Sequence, residues 1–468
     1  MKIRNLLLLI FVALFCFGCN SNKKCENPKP KYIFLFIGDG MGVPQTQLGD
    51  AFLRADGDSL DFMYFPNRGF QTTWSLSSYI TCSAASGTAM ACGEKTLVDY
   101  IGCDSAGNPL KSLAYIAQEK GKKVGILTTV PIDHATPAVF YAHSKSRHSN
   151  REIDQQLPTS GFDFFGGGMF EEPIAENYSM FKLLQDNNYT LITSSDSLQY
   201  VPSLNTKICV LHPNTRLDLE IDNSDDKFTL AALTESAIKK LDNENGFFMM
   251  IEGGMIDWAC HSNDAAAAAR EVVGFNEAIK KAVEFYNAHP DETLIVITAD
   301  HETGGLALGT ARFPYFSNIS LLKKQTVSYN TLEGIFMADI DSNKFTFDDC
   351  MARINAVYGN YEFDQYDISK IKKAYDFTMT GKTDYSDVDV KKFYNLSASA
   401  RNAQPRDRCS AIVTTVNSVF DEHAGINWTT FAHTALQVPV SALGVGGEQF
   451  RGVIDNTEIH HKIKKMLE

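Results

Sequence analysis

Four short apolar runs, each ending abruptly at acidic or imidazole side chains, constrain this chain more than any other feature. Tyr32 to Ile37 (YIFLFI) leads into Gly38-Asp39-Gly40-Met41-Gly42, and Gly125 to Thr129 leads into Asp133-His134-Ala135-Thr136-Pro137. Phe247 to Ile251 stops at Glu252, and Leu294 to Thr298 delivers Ala299-Asp300-His301. A strand without polar positions is covered on both faces, which points to an α/β fold built on a parallel sheet. Such sheets bind ligands just beyond the carboxyl ends of their strands, where these polar groups fall.

Asp39 is flanked by glycines that let backbone and ligand approach closely, although it could equally cap the helix after the turn. Asp257 and His261 are four residues apart, so one helical turn brings them to the same face, with Glu252 at the strand end before them. Unpaired charges at the end of so apolar a strand are costly, and coordination to a cation removes that cost. The small residues from Thr81 to Ala91 describe a tightly packed helix beginning near Ser83. A serine there would have its anionic form favoured by the helix N-terminus, although a plain N-cap accounts for it as simply. Arg147 could grip two oxygens of an oxyanion as a planar fork, a reading that leans on the neighbouring motifs. His433, within Trp428 to Ala435, is either a further ligand or a buried, hydrogen-bonded histidine.

The formal net charge of −13 argues against a general nucleic-acid binder, so positive charge for handling anions must be concentrated locally, for instance by metal ions. Residues 1–19 read as an export signal: Lys2 and Arg4, an apolar run, then Gly18-Cys19. The last pair resembles a lipoprotein cleavage site with Cys19 as lipid anchor, which would place the protein in the bacterial cell envelope, periplasmic or lipid-anchored. Residues 20–30 serve as a tether. In that compartment disulfides are permitted, and Cys92 with Cys103, or Cys350 with Cys409, are plausible pairs. Residues 161–227 carry few chemical signals and read as scaffold. From 310 to 407 the character changes to Tyr-, Asn-, Asp- and Lys-rich segments with helices expected near Asp348 to Tyr358 and Ser369 to Thr378. This is expected to be a surface insertion, between a core of 31–309 and its resumption over 408–468.

Taken together, Gly38 to Gly42, Ser83-Ala84-Ala85, His134 to Pro137 with Arg147, Glu252 through His261, Thr298 to His301 and Trp428 through His433 resemble the alkaline phosphatase family, in its order, across nearly the whole chain. The resemblance implies a three-layer α/β/α sandwich around a large, mainly parallel sheet, and hydrolysis of small-molecule phosphate monoesters through a phosphoserine on Ser83. It implies two Zn2+ and one Mg2+: Asp257, His261 and His433 for the first zinc, Asp39, Asp300 and His301 for the second, and Asp39, Thr136 and Glu252 for the magnesium. Arg147 would bind phosphate, His134 and Trp258 would stand beside the substrate, and homodimers are a possibility. Cys82 replaces an aspartate frequent before the nucleophile, and His134 and Trp258 differ from the residues of some members, which bears on the third metal. A phosphodiesterase or phosphonate hydrolase would share most of these ligands, and a catalytically silent anion-binding lipoprotein is the non-enzymatic alternative.

Overall fold

The computed structural model describes residues 29–175, 178–223, 227–342 and 344–468. The export signal, the lipid anchor and most of the tether lie outside the described residues.

Among the described residues the body is organised by one 10-stranded sheet. Its strands are β1 (Tyr32–Gly38), β2 (Asn67–Thr72), β3 (Lys123–Pro131), β4 (Phe164–Gly168), β5 (Tyr189–Ile192), β6 (Lys207–Leu211), β7 (Phe247–Gly253), β8 (Thr293–Ala299), β9 (Val438–Gly444) and β10 (Gly452–Asp455). Their spatial order is β10-β2-β9-β8-β1-β7-β3-β4-β6-β5. All run parallel except β9, which lies antiparallel to both of its neighbours, β8 and β2.

The unbroken apolar runs have a simple cause. Side chains alternate across a strand, and both faces of this sheet are covered. Phe34, Phe36, Phe247, Met249, Ile251, Ile295 and Ile297 point into one core. That core is closed by α1 (Val43–Arg54), α4 (Leu230–Leu241), α6 (Ala265–Ala288) and α10 (Ser410–Ala424). Ile33, Leu35, Ile37, Phe248, Met250, Leu294 and Val296 point into the other, under α2 (Ser83–Cys92), α3 (Leu113–Glu119) and α11 (Thr457–Leu467). Each such side chain contributes roughly 1.5–3 kcal/mol by leaving water, so a polar residue in these runs would be tolerated on neither face.

The two helices expected late in the chain form as α8 (Phe347–Val357) and α9 (Gln365–Thr380), preceded by α7 (Tyr329–Asp341). They add no strand to the sheet. Their buried side chains Leu332, Phe336, Ile354, Val357 and Ile371 belong to the same apolar core as α6 and α10, so this region packs continuously with the main body. The disulfide expectation fails: Cys92, Cys103, Cys350 and Cys409 are free thiols, as are Cys82, Cys209 and Cys260. Burial in apolar surroundings, which favours the neutral thiol, raises the Cys209 and Cys350 pKa values.

Candidate active site

Strand register assembles the site. In β1, Gly38 lies opposite Ala299 of β8 and Gly253 of β7, and Ile37 lies opposite Glu252. Asp39, Asp300 and Glu252 therefore leave the sheet side by side at its carboxyl edge. Gly40 turns the chain there with φ +69°, and a Cβ on it would come within 2.8 Å of Asp257 Oδ1 and 2.9 Å of Thr303 Oγ1, so only glycine fits. The residue capping α1 is Gly42, without a side-chain cap, which removes Asp39 from that role. Cys82 likewise holds the N-cap position of α2. Ser83 is the first helical residue, and its Oγ lies 3.2 Å from His301 Nε2.

The histidine tautomers follow from their partners. Nδ1 of His261, on α5 (Met255–His261), is 2.6 Å from the Phe431 carbonyl oxygen, and Nδ1 of His433 is 2.9 Å from that of Thr81. A carbonyl only accepts, so each Nδ1 carries the hydrogen and each Nε2 of the neutral ring presents a lone pair. Those two Nε2 atoms face each other at 3.1 Å, with Asp257 oxygens 3.3 Å and 3.8 Å away. Thr303 donates its hydroxyl to Asp257 Oδ1 at 2.5 Å and so accepts from His301 Nδ1 at 3.2 Å. The lone pair of His301 Nε2 then meets Asp39 Oδ1 at 3.3 Å and Asp300 Oδ2 at 3.2 Å. Lone pairs and carboxylates pointed at one another repel unless a proton or a metal cation lies between them. The donor set fits metal ions: Asp257, His301 and His433 each offer an atom within 4.8 Å of the others, as do Asp39, Asp300 and His301.

Buried charge tells the same story. Burial, reinforced by the charges of Asp300 and Asp257, lifts Asp39 well above the usual carboxylate range. Burial pushes Asp300 up to about 7 and Glu252 up to about 8, and neighbouring carboxylates add to both shifts. Burial lowers His301 and His433, whereas Asp257 outweighs burial at His261 and draws it up to about 9. Burial acts against an ionised Asp257, but the imidazoles of His261, His301 and His433 hold it low. The protein alone does not keep these acids ionised together; multivalent cations would.

A third grouping lies deeper. Glu252 accepts from the Thr128 hydroxyl through Oε2, while Glu252 Oε1, both oxygens of Asp39 and Thr136 Oγ1 are buried without hydrogen-bond partners. Asp39, His134 and Glu252 have ligand atoms within 4.8 Å of one another. Arg147 Nη2, however, sits 2.8 Å from His134 Nε2. A guanidinium can only donate, so His134 is neutral with its hydrogen on Nδ1; burial and then the Arg147 charge lower its pKa to about 3. In this geometry His134 holds Arg147 and leaves the third grouping to oxygen atoms. Trp258 stands nearly perpendicular to His134, 6.1 Å between ring centroids.

Thr303 and Thr128 were missed by sequence reasoning. Thr303, two residues past His301, carried the better signal, since a hydroxyl so placed can orient the ring of an adjacent ligand.

Known proteins resemble this chain in sequence and in fold. A family model described as Alkaline phosphatase matches residues 30–176 and 175–468. The chain is 30% identical to Alkaline phosphatase 4 of Bacillus subtilis, over 96% of this chain and 91% of that protein. A cold-active alkaline phosphatase from a psychrophilic Shewanella superposes with TM-score 0.77 at 28% identity, covering 93% of this chain and all of that one. A variant of the Antarctic bacterium TAB5 alkaline phosphatase, a histidine replaced by glutamate and Mg bound in its M3 site, matches at TM-score 0.66 and 26% identity, over 94% of this chain and 99% of that one.

Proposed function

The chain belongs to the alkaline phosphatase family, a metal-dependent phosphomonoesterase by that membership, and from this premise we propose the residues that perform the reaction. Ser83 is the nucleophile: its hydroxyl gives its proton to solvent as Oγ attacks phosphorus, the bond to the ester oxygen breaks, and the alcohol leaves with a proton taken from solvent. Water then attacks the phosphoserine, the Oγ–phosphorus bond breaks, and inorganic phosphate departs. Arg147, held by His134, donates paired N–H groups to the phosphoryl oxygens, and the N-terminus of α2 favours the anionic nucleophile. Asp257, His261 and His433 hold one cation and Asp39, Asp300 and His301 a second, with mixed imidazole and carboxylate donors suited to Zn2+. Asp39, Glu252 and Thr136 supply an all-oxygen set suited to Mg2+, in keeping with the ion in the TAB5 variant. When bound, the cations lower the pKa of a coordinated hydroxyl and neutralise charge on the phosphoryl group.

The observation that carries this reading is the convergence of His261, His301 and His433 with buried carboxylates, the Ser83 hydroxyl lying 3.2 Å from His301 Nε2. Export to the cell envelope, with Cys19 as a lipid anchor, rests on the sequence of residues 1–19, and homodimer formation on family likeness. The test is hydrolysis of p-nitrophenyl phosphate against a bis-ester analogue. The monoester is preferred, EDTA abolishes turnover and zinc with magnesium restores it, and Ser83→Ala loses about a thousandfold or more in kcat. Parental rates in Ser83→Ala would overturn the assignment.

A further inference from the structure

Arg216 is the cation that the assigned roles leave unexplained. Its guanidinium carbon lies over the Trp258 ring, 5.5 Å from the centroid, and no carboxylate stands within ion-pairing distance of it among the described residues. The segment carrying it is laced to the sheet's carboxyl edge. Leu217 N donates to Thr129 O at 2.9 Å, and Met169 N donates to Asn214 O at 2.8 Å. A Cβ on Gly168 would come within 2.6 Å of Arg216 Cα, so the end of β4 fits closely beneath it. Leu219 packs with Val130, Met255 and Trp258, fixing the far side of the segment. A guanidinium held over an aromatic face keeps its charge and has N–H donors to offer an oxyanion.

A chain of contacts joins Arg216 to Trp258, Trp258 to His134 at 6.1 Å between ring centroids, and His134 to Arg147 at 2.8 Å. We propose that Arg216, held over the Trp258 ring, is an outer anion subsite that receives a second anionic group on the substrate's leaving moiety. The inference rests on the phosphatase reading above. It names a preferred class: phosphate monoesters whose alcohol carries another phosphate or carboxylate several bonds away, such as sugar bisphosphates.

The test compares metal-loaded parent, Arg216→Met and Arg216→Lys on glucose 6-phosphate and glucose 1,6-bisphosphate. The readout is the ratio of kcat/KM for the bisphosphate to that for the monophosphate. The proposal expects the ratio to fall about tenfold in Arg216→Met, through KM, and to recover partly in Arg216→Lys, which keeps the charge but loses the fork. A ratio equal to the parent's in Arg216→Met overturns the subsite. So does a loss of kcat shared by both substrates, which would make Arg216 a support for Trp258 and His134. Parental enzyme inactive on p-nitrophenyl phosphate would overturn the phosphatase reading itself, and the subsite with it.

Discussion

The hydrogen on each Nδ1 decides what these imidazoles can hold. The carbonyl groups of Phe431 and Thr81 and the Thr303 hydroxyl fix three tautomers, and every Nε2 is thereby turned toward carboxylates. Thr303 is the most informative residue to alter, because it orients His301 and donates to Asp257 at once. Thr303→Val should weaken zinc affinity about ten- to hundredfold, read by competition with a chromogenic chelator, while leaving the fold intact. Proton linkage gives a second expectation. In the metal-free protein Glu252, at about 8, and His261, at about 9, hold protons at pH 7 that a cation must displace. Because the free protein binds those protons and the loaded one does not, metal affinity rises with pH from about 7 to 9. Calorimetry in buffers of different ionisation enthalpy should show proton release on loading with zinc and magnesium that diminishes above pH 9. The candidate ligands stand out in the sequence because acids and histidines after apolar strands have few other uses. Thr128 and Thr303 do not, since threonine is common and its role depends on a partner brought in by another strand. Arg216 lies in a stretch that reads as scaffold, and only its position over the Trp258 ring singles it out.

At the scale of elements, register does the assembling: β1 between β7 and β8 sets Asp39 beside Glu252 and Asp300. The central strands were evident from their apolar runs. β2 was missed because it alternates buried and exposed positions, and β9 because Pro439 and Ser441 interrupt its apolar pattern. The late helices were found from their spacing, but not their attachment, to which one buried carboxylate contributes beside the shared apolar core. Asp264 caps α6 by accepting from Ala267 N at 3.0 Å, and also accepts from Gln325 Nε2 at 3.0 Å and Tyr329 N at 2.8 Å. Asp264→Ala removes a cap and strands buried donors, so urea unfolding should report a loss of about 2–3 kcal/mol. A loss below about 0.5 kcal/mol would mean the late helices are not held to the body through this contact.

For the molecule as a whole, a chain of net charge −13 is arranged to process anions. Arg147 is a fixed cation beside the site, held by His134; further positive charge comes from bound ions. Buried acids that repel one another without those ions make the metal-free fold the less stable one, a cost the enzyme bears for a site organised around charge. The central claim is that these side chains gather around cations within reach of Ser83. Anomalous diffraction at the zinc edge from crystals of zinc-loaded protein tests it most directly. The account predicts one peak among Asp257, His261 and His433 and another among Asp39, Asp300 and His301, both beside the Ser83 hydroxyl. A map with no anomalous density at either grouping would contradict it.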